Sequence, residues 1–285
     1  MIEAVLAGSL AFIMFSLGLS LKPQDFWVAF QQPKTLIAGA LVQLALLPII
    51  AFILLTLFGL QGQLAIGVMI LSCCPGGITS NIMTKLSRGD VALSISYTSL
   101  ASLVTAGTLP LVLSVTAPIL LPQQNIELSI LPLSLKVFCL ATLPVLLGVW
   151  LSRVAPEQAS RWELFSSRTA NTLFVLVLLG ALISQWDVFI ANLPILSPIL
   201  LLLNLLMLSV GLGIGNLLGL KQSQITSLAV EAGFQNGTIG IVVGSLISDE
   251  LVQAELSRFS LPSAVYSILM MLTIIPFVLW RRYSI

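Results

Sequence analysis

Long apolar runs recur along this chain, each closed by a short polar connection. A helix needs about 20 apolar residues to cross a bilayer, fewer or more with tilt. On that spacing the pattern predicts nine spans, near 2–20, 35–58, 62–87, 90–117, 128–152, 168–186, 193–219, 223–248 and 256–280. Prolines inside several of them (Pro48, Pro110, Pro144, Pro262, Pro276) are expected to kink rather than end the helices, because neighbouring helices can satisfy the freed carbonyls. Two spans are interrupted. The third contains CCPGGITSN at 73–81 and the eighth EAGFQNG at 231–237. Unwound backbone at membrane depth is tolerated only where it is buried in protein or lines a wet cavity. A matched pair of broken segments in the two halves of a chain is the best sequence pointer to a transporter's binding site.

Composition agrees with that pattern. Of 285 residues, 58% are hydrophobic and only 8% charged, against about 25% charged in an ordinary soluble domain. This is the composition of a polytopic membrane protein, and no stretch reads as a soluble domain or a long linker. The connections at 21–34, 118–127 and 153–167 are short and polar. A net charge of +1 without a basic run gives no footprint for nucleic acid. The first apolar stretch is reached without a Lys or Arg, so it reads as a retained span rather than a cleaved leader.

Basic residues orient the spans. Lys22, Lys34, Lys85, Arg88, Arg153, Arg161, Arg168, Lys221, Arg281 and Arg282 fall on the odd connections, their flanking helix ends and the C-terminal tail. The even connections hold Arg258 against Glu127, Asp187, Asp249, Glu250 and Glu255, and Lys136 lies inside a span. By the positive-inside rule the N-terminus is expected outside and the C-terminus in the cytoplasm, in a plasma (inner) membrane.

Few polar groups remain at membrane depth. Glu231 is the one carboxylate in the middle of a predicted span, and such a residue is a functional-site hypothesis by default. Its bland reading is an ion pair with Lys136, which sits shallow enough for its side chain to snorkel to the interface. Near Glu231 lie Gln235, Asn236 and the backbone oxygens of Ala232 and Phe234; the first break adds Thr79, Ser80 and Asn81. Ser94 and Thr98, four apart, share one helix face, and Gln43 lies within the second span. Each hydroxyl alone could back-bond to its own helix. As a set, oxygen donors with one carboxylate suit a hard cation such as Na+, with too little charge for a tight Ca2+ cage. The helix N-termini beginning near Gly77 and Asn236 favour an anion. Glycines at 76, 77, 233 and 237 allow close approach to the backbone. The residues therefore predict an organic anion and Na+ bound side by side.

PGGITSNIMTKLSRGDVALS (75–94), EAGFQN (231–236) and LGLSLKPQDF (17–26) resemble the bile acid:sodium symporter family, and the similarity runs over essentially the whole chain. The resemblance implies an all-helical fold of inverted repeats with two crossing broken helices. A panel domain (1–21 and 128–186) would move against a core domain (33–120 and 192–283) in alternating access. It implies one sodium site at Ser80, Asn81, Ser94, Thr98 and Glu231, and a second at Gln43, Gln235 and Glu231 with oxygens of Ala232 and Phe234. Gly76, Gly77, Thr79 and Asn236 would face the substrate. Against ten-span members the chain begins where their second helix would, and Ile78 stands where some bacterial relatives have threonine.

The function expected is sodium-coupled symport of a small organic anion with two coupling Na+ ions. Pantoate-like hydroxy acids, 2-oxo acids such as pyruvate and steroid-like bile acids are the candidate anions. Metalloid or proton-linked efflux on a related fold would need a reactive cysteine inside the break, whereas Cys73 and Cys74 precede Pro75 without a flanking cation. Three cysteines without CxxC spacing give neither a disulfide framework nor a zinc site. An intramembrane enzyme lacks His, a paired acid or a serine with a base, so no enzyme is expected. A non-transporting receptor would leave both breaks unexplained.

Overall fold

The computed structural model describes residues 2–20, 31–122, 130–184, 186–251 and 258–284, and every regular element among them is helical. Helix α1 is Ile2–Ser20. Helix α2 runs Pro33–Leu41, passes through a π-helical turn at Val42–Leu46 and continues as Leu47–Leu57. The first broken pair is α3 (Gln63–Cys73) and α4 (Ile78–Leu86), followed by α5 (Val91–Leu120). Helix α6 again carries a π-helical turn, Phe138–Thr142, between Ile130–Val137 and Leu143–Val154. Then come α7 (Pro156–Ser184) and α8 (Trp186–Leu217). The second broken pair is α9 (Gln222–Gly233) and α10 (Gly237–Leu251), and α11 (Leu261–Ser284) closes the chain.

Among the described residues five helices are long and apolar enough to cross a membrane: Pro33–Leu57, Val91–Leu120, Ser134–Val154, Trp186–Leu217 and Leu261–Ser284. The pair α3/α4, bent by 63°, makes a sixth if counted as one broken span. Their apolar faces point outward. Leu111, Val115 and Ile119, spaced by four on α5, are all exposed, as are Ile37, Leu41, Ile49 and Ile53 on α2. Buried positions include Gln43, Ser94, Thr98, Glu231 and Gln235. Polar groups inside and apolar ones outside is the arrangement lipid demands.

Two prolines leave a mark that differs from a simple kink. Pro48 and Pro144 each stand two residues past the end of a π-helical turn. A proline has no N–H and crowds the carbonyl one turn back, and a wider turn absorbs that clash without ending the helix. The stretch 153–167, expected to be a connection, is helical from Pro156 onward. Proline at the first helical position supplies the start, and the polar residues Glu157, Gln158, Ser160 and Arg161 lie on an exposed surface. Lys22, Glu127 and Glu255 lie outside the described residues.

Helix α1 packs chiefly on α6 and α7, while α8 packs on α9 and α11, and α3 on α5, α10 and α11. Small residues bring α1 and α6 together: a Cβ on Gly148 would stand 2.7 Å from the Leu19 nitrogen, and one on Gly18 3.0 Å from the Gly148 Cα. Close backbone approach at small residues is how helices associate without a hydrophobic driving force.

Candidate functional site

The two breaks meet. The Asn236 N–H donates to the Pro75 carbonyl at 2.8 Å, tying the unwound segment after α9 to that after α3. Their second helices start at Ile78 and Gly237, beside the positions expected from the sequence. Ser80 closes the first break locally: its Oγ accepts from the Gly77 N–H at 3.1 Å and donates to the Gly77 carbonyl at 2.7 Å.

Glu231 ends up on the last turn of α9, 2% exposed. Thr98 Oγ1 donates to its Oε1 in a very short hydrogen bond, and Ser94 Oγ donates to Oε2 at 3.2 Å. That register is locked about one turn away. Asp90 caps α5 through the Leu93 N–H at 3.1 Å, its own N–H donates to the Ser223 carbonyl at 3.1 Å, and Ser227 Oγ donates to the Asp90 carbonyl at 2.8 Å. With Asp90 against Ser227, positions four and eight further along α5 meet the position four further along α9. Ser94 is also within 2.9 Å of Asn81 Oδ1, and Thr84 Oγ1 donates to Ser94 Oγ at 3.1 Å. One Ser94 proton thus faces two acceptors, so the cluster holds more oxygen lone pairs than protons. Among the described residues no Lys or Arg pairs with Glu231, and Lys136 is exposed. A carboxylate buried without a cation costs several kcal/mol, roughly. The donor set therefore fits a hard cation.

A second cluster adjoins it. Gln43, on the π-helical turn of α2, donates through Nε2 to the Cys74 carbonyl at 2.7 Å and to Gln235 Oε1 at 2.8 Å. Gln235 Nε2 donates to the Ala232 carbonyl at 3.0 Å. Gln43 Oε1 is buried and has no hydrogen-bond partner among the described residues, an acceptor that a cation would satisfy.

Gly77, Thr79 and Asn236 line a cavity between the break crossing and helices α1 and α7, together with Phe234, Gln235 and Thr238. The centre of a water molecule can range over about 30 Å3 within it. Gly76 does not serve as open backbone there. A Cβ on it would stand 2.7 Å from Glu231 Cδ and 2.8 Å from Ser80 Oγ, so this glycine makes room for the carboxylate. The glycines of the second break are also closed by protein: a Cβ on Gly233 would lie 2.8 Å from Leu208, and one on Gly237 3.2 Å from the Ser263 carbonyl.

Sequence reasoning missed the groups that hold the second break. Asn204 Nδ2 donates to the Gly233 carbonyl at 2.6 Å and to Tyr266 Oη at 2.8 Å. Tyr266 donates to the same carbonyl at 2.8 Å, and Thr273 Oγ1 donates to Asn204 Oδ1 at 2.5 Å. At the first break, Thr105 Oγ1 reaches the Cys73 carbonyl at 3.2 Å. A lone amide among the leucines of 200–206 was the available signal, the same kind that singled out Gln43.

Fold and site together define an integral membrane protein in which two breaks between helices meet beside a buried, oxygen-lined carboxylate. The sequence model of the sodium bile acid symporter family matches residues 7–218, and the chain belongs to that family. A sodium-dependent organic anion transporter of Bos taurus is 32% identical over 228 residues, covering 79% of this chain and 59% of the relative. The uncharacterized sodium-dependent transporter YocS of Bacillus subtilis (strain 168) is 28% identical over 270 residues, 91% of this chain and 77% of its own length. The human ileal sodium/bile acid cotransporter is 29% identical over 249 residues, 82% of this chain and 67% of the relative. The chain spans about three fifths of the bovine relative's length. Glu231 and the second break lie beyond the stretch matched by the family model.

Proposed function

We propose that this protein is a sodium-coupled symporter of small organic anions that works by alternating access. The observation that carries the reading is Glu231, buried at the crossing of two broken helices and surrounded by hydroxyl and amide oxygens rather than by a cationic side chain. In this reading Ser80, Asn81, Ser94, Thr98 and Glu231 hold one Na+. Gln43, Gln235, Glu231 and the backbone oxygens of Ala232 and Phe234 hold a second. The orphaned Gln43 Oε1 supports the second site. The N-termini of α4 and α10, with Thr79 and Asn236, receive the anion in the adjoining cavity, as free N–H groups and the helix dipole favour.

The nine-span topology, with inverted repeats, an outer N-terminus and a cytoplasmic C-terminus, belongs to the same proposal. Helices α1, α6 and α7 form the panel and the remaining helices the core, a grouping supported by the packing of α1 on α6 and α7. Alternating access requires α1 and α7 to move relative to the crossing, so that the cavity they line there opens to one side of the membrane and then the other.

Purified protein in proteoliposomes, offered labelled organic anions with and without an inward Na+ gradient, tests the reading. Uptake should follow the Na+ gradient, vanish when K+ replaces Na+, and be lost in Glu231→Ala with the protein still in the membrane. Equal uptake in Na+ and K+ would overturn sodium coupling. Exchange labelling of a Cys introduced at Ser160 only after permeabilisation supports the orientation.

A further inference from the structure

A threonine inside a helix commonly bonds back to the carbonyl four residues earlier, as Thr105, Thr116 and Thr226 do with Ala101, Val112 and Gln222. Thr142 bonds elsewhere. It closes the π-helical turn of α6, and the carbonyl four residues before it, on Phe138, already accepts the Leu143 N–H. The Thr142 hydroxyl instead crosses to α5 and donates to the Ser102 carbonyl at 3.2 Å, with both residues buried. A hydrogen bond between helices in lipid is a specific tie, because no water competes for either group.

The acceptor sits on the stretch of α5 that serves both breaks. Thr98, Ser102 and Thr105 follow at helical spacing and share one face. Thr98 donates to Glu231 of the second break, and Thr105 Oγ1 donates to the Cys73 carbonyl of the first at 3.2 Å. Ser102 Oγ donates to the Thr98 carbonyl at 2.7 Å, so the turn that meets Thr142 is bonded to the turn that meets the carboxylate. The other face of the panel is different. Where α1 and α7 line the cavity they present Ile13, Met14, Leu17 and Ala170, with Asn171 as the polar exception. Apolar surfaces part without breaking a hydrogen bond. The α5–α6 contact does not.

We propose that Thr142 is a positioning residue that links the carboxylate cluster to the panel: its bond to Ser102 ties α6 to the turn of α5 next to Thr98, so that a cation at Glu231 sets where the cavity wall stands. The inference rests on the symport reading for the cation and for the panel as the moving part. Thr142 touches neither cation nor anion. It acts through Ser102 and Thr98 on one side, and on the other through α1, which packs chiefly on α6 and α7 and carries the displacement to the cavity.

The test reads the cavity wall rather than transport. Cys73 and Cys74 are buried, so with the exposed Cys139 replaced by Ser, Asn171→Cys places one reactive thiol on the α7 side of the cavity. Its rate of modification by N-ethylmaleimide is measured on the full chain in detergent, in Na+ and in K+ at equal ionic strength. Na+ binding is measured separately, as thermal stabilisation by Na+ over K+. Without further change the two rates should differ about fivefold or more, the lower end of a conformational coupling. Thr142→Val, near-isosteric, removes the donor and leaves the Ser102 carbonyl in the helical ladder of α5, so the fold should hold. That variant should keep the Na+ stabilisation while the rate ratio falls to about twofold or less, as loss of one hydrogen bond allows. Thr142→Ala, which adds no bulk to the π-helical turn, should behave alike, and Thr142→Ser should keep the full ratio. An undiminished ratio in both Thr142→Val and Thr142→Ala overturns the link. Loss of Na+ stabilisation in those variants also overturns it, because Thr142 would then only hold the cation site together. Na+ stabilisation of the unmutated Thr142 protein without any change in rate sinks the link and leaves the cation site standing. No Na+ stabilisation at all sinks the cation site, and the link with it.

Discussion

The two breaks do the same thing to the backbone by different means. The first, between α3 and α4, is written into its own residues. Pro75 offers no N–H, Gly76 leaves the space that Glu231 fills, and Ser80 closes the Gly77 turn from three residues away. The second, between α9 and α10, is held from outside. Asn204 on α8 and Tyr266 on α11 both donate to the Gly233 carbonyl, and a Leu208 side chain occupies the space beside Gly233. One break is shaped around the carboxylate and the other is packed into the helices behind it. The carboxylate itself comes from the second break and is received by the first, so neither is a site alone.

The sharpest way to break the comparison is at the glycines. Gly76→Ala pushes a methyl against Glu231 and Ser80, two groups that belong to the proposed cation set. Na+-driven uptake should fall by roughly 100-fold or more, since side chains in a packed interior cannot shift by an ångström at no cost. Gly77→Ala meets only the Asn236 amide, at 3.3 Å, and should be felt mainly in the half-saturating concentration of the anion. If both variants behave alike, the first break is not shaped around the carboxylate.

Asn204→Leu attacks the second break from its support. The Gly233 carbonyl keeps Tyr266 as a donor, whereas Thr273 loses its acceptor on Asn204. A cost of about 1–3 kcal/mol is expected for buried polar groups left with fewer partners. It should appear as a lowered melting temperature together with weaker Na+ binding. Tyr266→Phe removes one of the two donors and should cost about half as much. A double-mutant cycle between these positions should show coupling, because both act on one carbonyl oxygen. Strict additivity would mean they hold the break independently.

The sequence carried the features that are local. The apolar runs, the interruption at Pro75-Gly76-Gly77, the intramembrane Glu231 and the four-residue spacing of Ser94 and Thr98 were all legible from residue type and period. What was not legible arises from contacts between distant segments. Asn204 reaches Gly233 across 29 residues, and Tyr266 across 33. Thr84 joins the carboxylate cluster only because α4 and α5 pack side by side, and nothing in its neighbours marks it. The π-helical turn that carries Gln43 follows from Pro48 five residues later, but a proline in a span predicts a kink as readily as a wider turn. The long start of α7 at Pro156 was hidden by its polar composition, which reads as a connection when only apolar length is scored.

The smallest expected effect tests whether the carboxylate cluster and the Gln43 cluster are two cation sites or one. Ser94 shares a single proton between Asn81 and Glu231 Oε2, while Thr98 gives its proton to Oε1 alone. Ser94→Ala removes one oxygen from the first cluster and leaves Gln43, Gln235 and the Ala232 carbonyl untouched. With two Na+ sites, the Hill coefficient for Na+ should drop from near two towards one, with anion affinity changed less than about threefold. Charge offers an independent reading of the same question. Two Na+ with one monovalent anion carry a net +1 inward per cycle, so an inside-negative potential adds about 2.3 kcal/mol per 100 mV to accumulation. A parent protein with a Hill coefficient of one and uptake of a monovalent anion indifferent to membrane potential would leave a single coupling ion. Gln43 would then serve the first break as a structural donor to the Cys74 carbonyl.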